Sequence, residues 1–183
     1  DMDAFQPGGG RLRLDEKGLE DLLIEADRLL SDTVFGLSAS DWANIGDTKD
    51  LASWSRKTET VAASLFRYLL DIDGPKKSNV AFNPIPELNE TQLATRLDEA
   101  PDSDGQLAFI AAPDWHGTVH ETGAFARMSE KSLVRSAIAA WGPGLLTRSV
   151  ARLLEIATAT TRLRELFSTI AGQENSSIDA PQR

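Results

Sequence analysis

The chain has 183 residues, is 41% hydrophobic and carries a formal net charge of −9. That is enough apolar material for one domain with its own core and too much for a disordered chain. With no cysteine, a disulfide framework and thiolate metal sites are excluded. The acidity disfavours nucleic acid as a main partner, and no apolar run approaches the roughly 20 residues that cross a bilayer.

Residues 1–14 contain Pro7-Gly8-Gly9-Gly10 and read as a flexible lead-in, unlike a signal peptide. Asp15 to Ser31 is predicted to be a helix. Leu19, Leu22, Leu23, Ala26, Leu29 and Leu30 recur at steps of three and four, Asp15 and Glu16 suit the positive end of the helix dipole, and Gly36 ends the region.

Asp47 to Asp71 is predicted to be a second, unbroken helix. Asp47 or Thr48 caps it, and Leu51, Trp54, Thr58, Val61, Leu65 and Tyr68, thickened by Ala62 and Leu69, form a seam expected to face other helices. Arg56, Thr60, Ala63 and Arg67 fall on the opposite side, facing water, and Asp73-Gly74-Pro75 stops the helix.

The stretch from about 75 to 125 is broken by five prolines and reads as an irregular insertion. Within it Asn89 caps a short helix reaching about Ala100, with Gln92 at the capping-box position. Leu107 to Ala112 is an apolar run too short for periodicity to classify.

Ser129 is expected to cap a helix running to Trp141, and Gly142-Pro143-Gly144 breaks the chain before a last helix that ends near Gly172. In that last helix Ser149, Leu153, Ile156, Thr160, Leu163, Phe167 and Ile170 follow a heptad spacing, the pattern of a long stripe laid on other helices. Residues 173–183 read as a disordered tail. The fold expected is all-α: a single domain over 15–172, a bundle of four to five helices carrying the proline-rich insertion.

Candidate chemistry is sparse. His116 and His120 are the only histidines and stand four apart, a spacing that places two imidazoles on one helix face. However, Gly117, Val119 and Gly123 make the segment a loop, and the position after His116 lacks the glutamate of a zincin. Trp115 and His116, beside Phe82, Phe109 and Phe125, form an apolar cluster that either anchors a partner or staples the loop to the bundle. Arg148, Arg152 and Arg162 line one side of the last helix, but Glu155 and Glu165 fall where they would pair with Arg152 and Arg162. That favours a salt-bridged face over a nucleic-acid stripe.

No nucleophile motif, phosphate-binding loop or calcium loop is present. The expectation is therefore a cytoplasmic, non-enzymatic protein–protein interaction module of the subunit, adaptor, inhibitor or immunity type, with no cofactor and no metal. Its partner would be another protein with a basic surface, or a second copy of the chain if the seams complete an oligomer. Trp115, His116 and His120 are the candidate partner-binding residues. The competing expectation is a helical protein that binds a metal or small ligand through the 109–125 loop.

Overall fold

A computed structural model describes residues 15–72, 80–85, 89–98, 115 and 117–170. The lead-in, the tail, the run Leu107–Ala112 and His116 lie outside the described residues.

The architecture is all-α, a packed helical bundle, and among the described residues it contains no strand. Helix α1 spans Glu16–Leu29 and passes directly into a π-helical segment, Leu30–Phe35. Then come α2 (Ala39–Ala43), α3 (Thr48–Lys57), α4 (Val61–Asp71), α5 (Glu90–Asp98), α6 (Ala124–Met128), α7 (Ser132–Trp141) and α8 (Leu145–Ile170).

Side-chain caps set most of these starts by satisfying amides that have no intrahelical partner. The Asp15 carboxylate accepts from Gly18 N at 3.0 Å. Ser38 Oγ accepts from Asp41 N at 3.0 Å, and Asp47 accepts from Lys49 N and Asp50 N at 2.8 and 2.9 Å. Asn89 and Gln92 exchange reciprocal bonds of 3.0 and 2.9 Å, the capping box expected from their spacing. Gly36 closes the π segment with φ of 70°, in the left-handed region that an L side chain rarely adopts.

The long rod predicted over Asp47–Asp71 is two helices. Thr58 is extended (φ −128°, ψ 131°) and Thr60 caps a fresh start at Val61. Arg67, placed in water by the seam argument, instead turns back over the break. Its guanidinium donates to the carbonyl oxygens of Ser55 and Thr58, the latter at 2.9 Å. These are α3's terminal acceptors, and a cation there also complements the negative end of the helix dipole. A second departure concerns Ser129. Its hydroxyl donates to Ala126 O at 2.9 Å and closes α6, while α7 begins three residues later with no side-chain cap.

The core gathers around α8, against which α2, α6 and α7 pack. Phe35 stacks on Trp42 with centroids 5.0 Å apart, and Trp42 meets Trp54 edge-on at 5.5 Å. Trp54 Nε1 donates to Phe35 O at 2.7 Å, tying α3 to the end of the π segment. Leu133 and Val134 of α7 and Leu146, Val150, Ala151, Leu154 and Ala157 of α8 complete the buried cluster.

The predicted seams are buried only in part: Leu51 and Trp54 on α3 and the flanking Ala62 and Leu69 on α4 are in the core, and so are Thr60 and Ala63, which the seam placed in water. On α4 the core takes Ala62, Ala63, Phe66 and Leu69, while Val61, Leu65 and Tyr68 are exposed. On α8 it takes Leu146, Val150, Leu154 and Ala157, while Ile156 and Leu163 of the heptad stripe are exposed. The two seams approach each other where Leu65 of α4 lines the same crevice as Ser149 and Leu153 of α8.

Candidate functional site

Residues 117–123 run over the bundle as an extended segment against residues 82–85. Gly117 turns the chain with φ of 72°, and Trp115 and Thr118 exchange backbone bonds of 2.9 and 3.1 Å. The strand-like pairing of Pro84 with Glu121 follows, with Glu121 N donating to Asn83 O at 2.8 Å and Ile85 N to Glu121 O at 3.1 Å. Asn83 Nδ2 adds a bond to Val119 O at 3.2 Å.

His120 belongs to this pairing. Its Nδ1 lies 2.9 Å from Pro84 O, and since a carbonyl only accepts, Nδ1 carries the proton. The ring is half-buried and acts as a clip between the two segments. Trp115 is half-buried, and His116 lies outside the described residues. Of the three residues singled out in the sequence, the structure places Trp115 at the Gly117 turn and His120 on the extended segment that follows it, and gives His120 a backbone partner. Among the described residues no three of His, Asp or Glu are grouped to hold a metal ion.

The segment is anchored to α8 by charge. The Glu121 carboxylate pairs with Arg148, whose guanidinium also donates to Pro143 O at 3.1 Å and lies 4.7 Å over the Phe125 ring. Phe125 is buried and its centroid is 4.1 Å from that of Phe82. Of the aromatic cluster read from the sequence, Phe82 and Phe125 are in contact, and the pair joins residues 80–85 to α6. Phe109 lies outside the described residues. Arg148 is committed to Glu121, so the arginine stripe is discharged at its start.

Glu155 is likewise engaged, but by Arg127 of α6 at 2.5 Å rather than by Arg152. The hydrogen bond from Arg127 holds the Glu155 carboxyl below its ordinary range. Arg162 pairs with Glu165 at 2.8 Å, as their spacing predicts.

A surface that the sequence argument assigned to the interior is the more prominent feature. Val61, Leu65 and Tyr68 stand on the outer face of α4, with Val61 72% and Tyr68 59% exposed. Beside them a small crevice opens between α4 and α8, with Leu65, Ser149 and Leu153 at its mouth and the buried Phe66, Leu69 and Leu146 at its floor. The lining is almost wholly apolar, and Ile156 continues it along α8. Apolar surface gathered in this way marks interaction sites more often than isolated exposed leucines do. The sequence signal was present as the heptad stripe itself; what it lacked was the side of the helix that the core uses.

No helix of the described residues is long and apolar enough to cross a membrane. Comparison with protein-family models, with curated proteins and with solved structures finds no match.

Proposed function

We propose that the chain is a non-enzymatic protein–protein interaction module that presents the exposed stripe of α4, beside the α4–α8 crevice, to a helix of another protein. The observation that carries this reading is the apolar stripe Val61–Leu65–Tyr68, with the crevice beside it, left outside a core that is otherwise complete. An exposed stripe at steps of four and three pairs with the apolar face of an amphipathic helix, whose own anchors recur at three and four residues. The net charge of −9 favours a partner whose rim is basic. Subunit, adaptor, inhibitor and immunity-type roles all use a surface of this kind, in the cytoplasm or elsewhere.

The test is a comparison of the wild-type chain with a Leu65→Lys/Tyr68→Lys variant as bait in native lysate, read by quantitative mass spectrometry. Both side chains are exposed, so the variant keeps the core. A partner held by the wild type and lost by the variant supports the reading. An identical set of captured proteins overturns it.

A further inference from the structure

We infer that residues 58–60 are an exchange hinge, through which the segment from α1 to α3 (residues 15–57) leaves its own core and packs into the same place in a second copy of the chain. In that swapped dimer α3, the hinge and α4 run on as one helix. The joint between α3 and α4 carries this proposal, and the exposed stripe of α4 plays no part in it.

From Asp47 to Asp71 the chain holds no glycine and no proline, so nothing in its composition forbids a continuous helix. The bend occupies three residues: Thr58 is extended, and Thr60 caps α4 by accepting from Ala63 N at 3.4 Å. Arg67 clasps it, donating to the carbonyl oxygens of Ser55 and Thr58 and to Glu59 at 3.1 Å. In a straight helix those two carbonyls accept instead from the amides four residues on, those of Glu59 and Ala62. The backbone of the joint is satisfied in either form. The Arg67 clasp and the Thr60 cap favour the bent one.

On each side of the joint the chain is tied to itself. The Phe35–Trp42–Trp54 stack and the bond from Trp54 Nε1 to Phe35 O lie within residues 15–57. The ring pairs Phe66–Trp141 and Phe82–Phe125 and the ion pairs Arg127–Glu155 and Arg148–Glu121 lie within residues 61–170. The two parts therefore meet as preformed faces.

The contact between those faces names the occupant. Phe35, Trp42 and Leu51 share the buried cluster with Leu133, Leu146 and Val150. Thr48 N donates to Ser136 Oγ at 3.2 Å, and Asp27 pairs with Arg164. Residues 15–57 of a second copy remake each of these contacts, since the receiving surface is already fitted to them, and two such exchanges close a two-fold dimer. Only the hinge differs between the two forms, and a short connection is the kind that exchange exploits. Proline at position 59 separates them. Thr58, at φ −128° and ψ 131°, already has the extended backbone required of a residue before proline. Among the described residues Glu59 N donates no backbone hydrogen bond, so Glu59→Pro suits the bend and forbids the straight helix.

The chain lacks cysteine, and the hydroxyl oxygens of Thr48 and Ser136 are 3.4 Å apart, so Thr48→Cys and Ser136→Cys each place one thiol at that pair. The two full-length proteins are mixed, unfolded in urea, refolded together at high protein concentration and oxidised. Size exclusion should separate a dimer of twice the 19.9 kDa chain mass. Mass spectrometry of its disulfide-linked peptides should show the mixed crosslink well beyond random pairing with the self-crosslinks. Adding Glu59→Pro to both proteins should lower the dimer yield about tenfold or more, and Arg67→Met should raise it by a similar factor. Absence of dimer after refolding, a dimer whose mixed crosslink does not exceed random pairing, or a yield that Glu59→Pro leaves unchanged would each overturn the proposal. The crosslink and proline arms decide it even if Arg67→Met folds poorly. Leu65 and Tyr68 are untouched throughout, so exchange can fail while partner capture persists, and the reverse.

Discussion

Replacing Trp54 by Phe probes the joint between α3 and the π segment. Trp54 is 6% exposed, and its Nε1 donates to Phe35 O at 2.7 Å. Phe35 is fully buried and ends its segment, so its carbonyl is one of the acceptors left without an intrahelical amide. Phenylalanine keeps a ring for the edge contact with Trp42 but removes the donor. Leaving a buried carbonyl unpaired costs about 1–3 kcal/mol. The atoms lost with the smaller ring leave a space that adds about 1–2 kcal/mol, because the close-packed surroundings refill it only in part. The expected loss is about 2–5 kcal/mol. Urea unfolding followed by circular dichroism measures it, with tryptophan fluorescence from Trp42, Trp115 and Trp141 as a second probe. A loss under about 0.5 kcal/mol, below the net value of one ordinary hydrogen bond, would refute the claim that this bond holds the joint.

Three further outcomes are expected. Gly36→Ala must adopt φ of 70° and would set its Cβ 2.3 Å from Thr58 Cγ2, so thermal melting should reveal a loss of about 2–4 kcal/mol from strain and crowding together. Arg67→Met retains the aliphatic stem but frees the carbonyls of Ser55 and Thr58, and denaturant titration should show about 1–3 kcal/mol of destabilisation. Glu155, held below its ordinary range by Arg127, binds protons less readily folded than unfolded. Its contribution is therefore complete above the ordinary carboxylate pKa of about 4.3 and lost as pH falls through the lowered folded value. Glu155→Gln should flatten the acid limb of a pH–stability curve, and an unchanged limb would exclude the pair as its source.

The class of fold was legible because amphipathic period and capping residues are local quantities. Asp15, Asp47 and Asn89 cap where their side-chain chemistry says they should. What period alone could not supply is which side of a helix meets the core. On α8 the stripe from Ser149 to Phe167 and the buried row from Leu146 to Ala157 lie on adjacent faces, and both are apolar enough to qualify. The small residues decide it: Ala62, Ala63, Ala151 and Ala157 let helices approach closely, and the larger side chains beside them are pushed outward.

The break at Thr58 was hidden for another reason. Neither Thr58 nor Glu59 is a strong breaker, and the turn is held by Arg67 from nine residues downstream. The loop reading of 117–123 was correct in kind, yet nothing in its composition pointed to pairing with Pro84, more than thirty residues away.

The π segment gives the chain a phase control. Its wider turn holds one residue more than an α-turn would, so Leu30–Phe35 fixes the angular setting of everything upstream relative to Trp42 and Trp54. Deleting a single exposed residue there, Asp32 or Thr33, would spin α1 by about 100° about its own axis and carry Leu30 off the core with it. Leu22 and Leu29 would then point elsewhere, and the rim of the molecule would be re-addressed by a change of one codon.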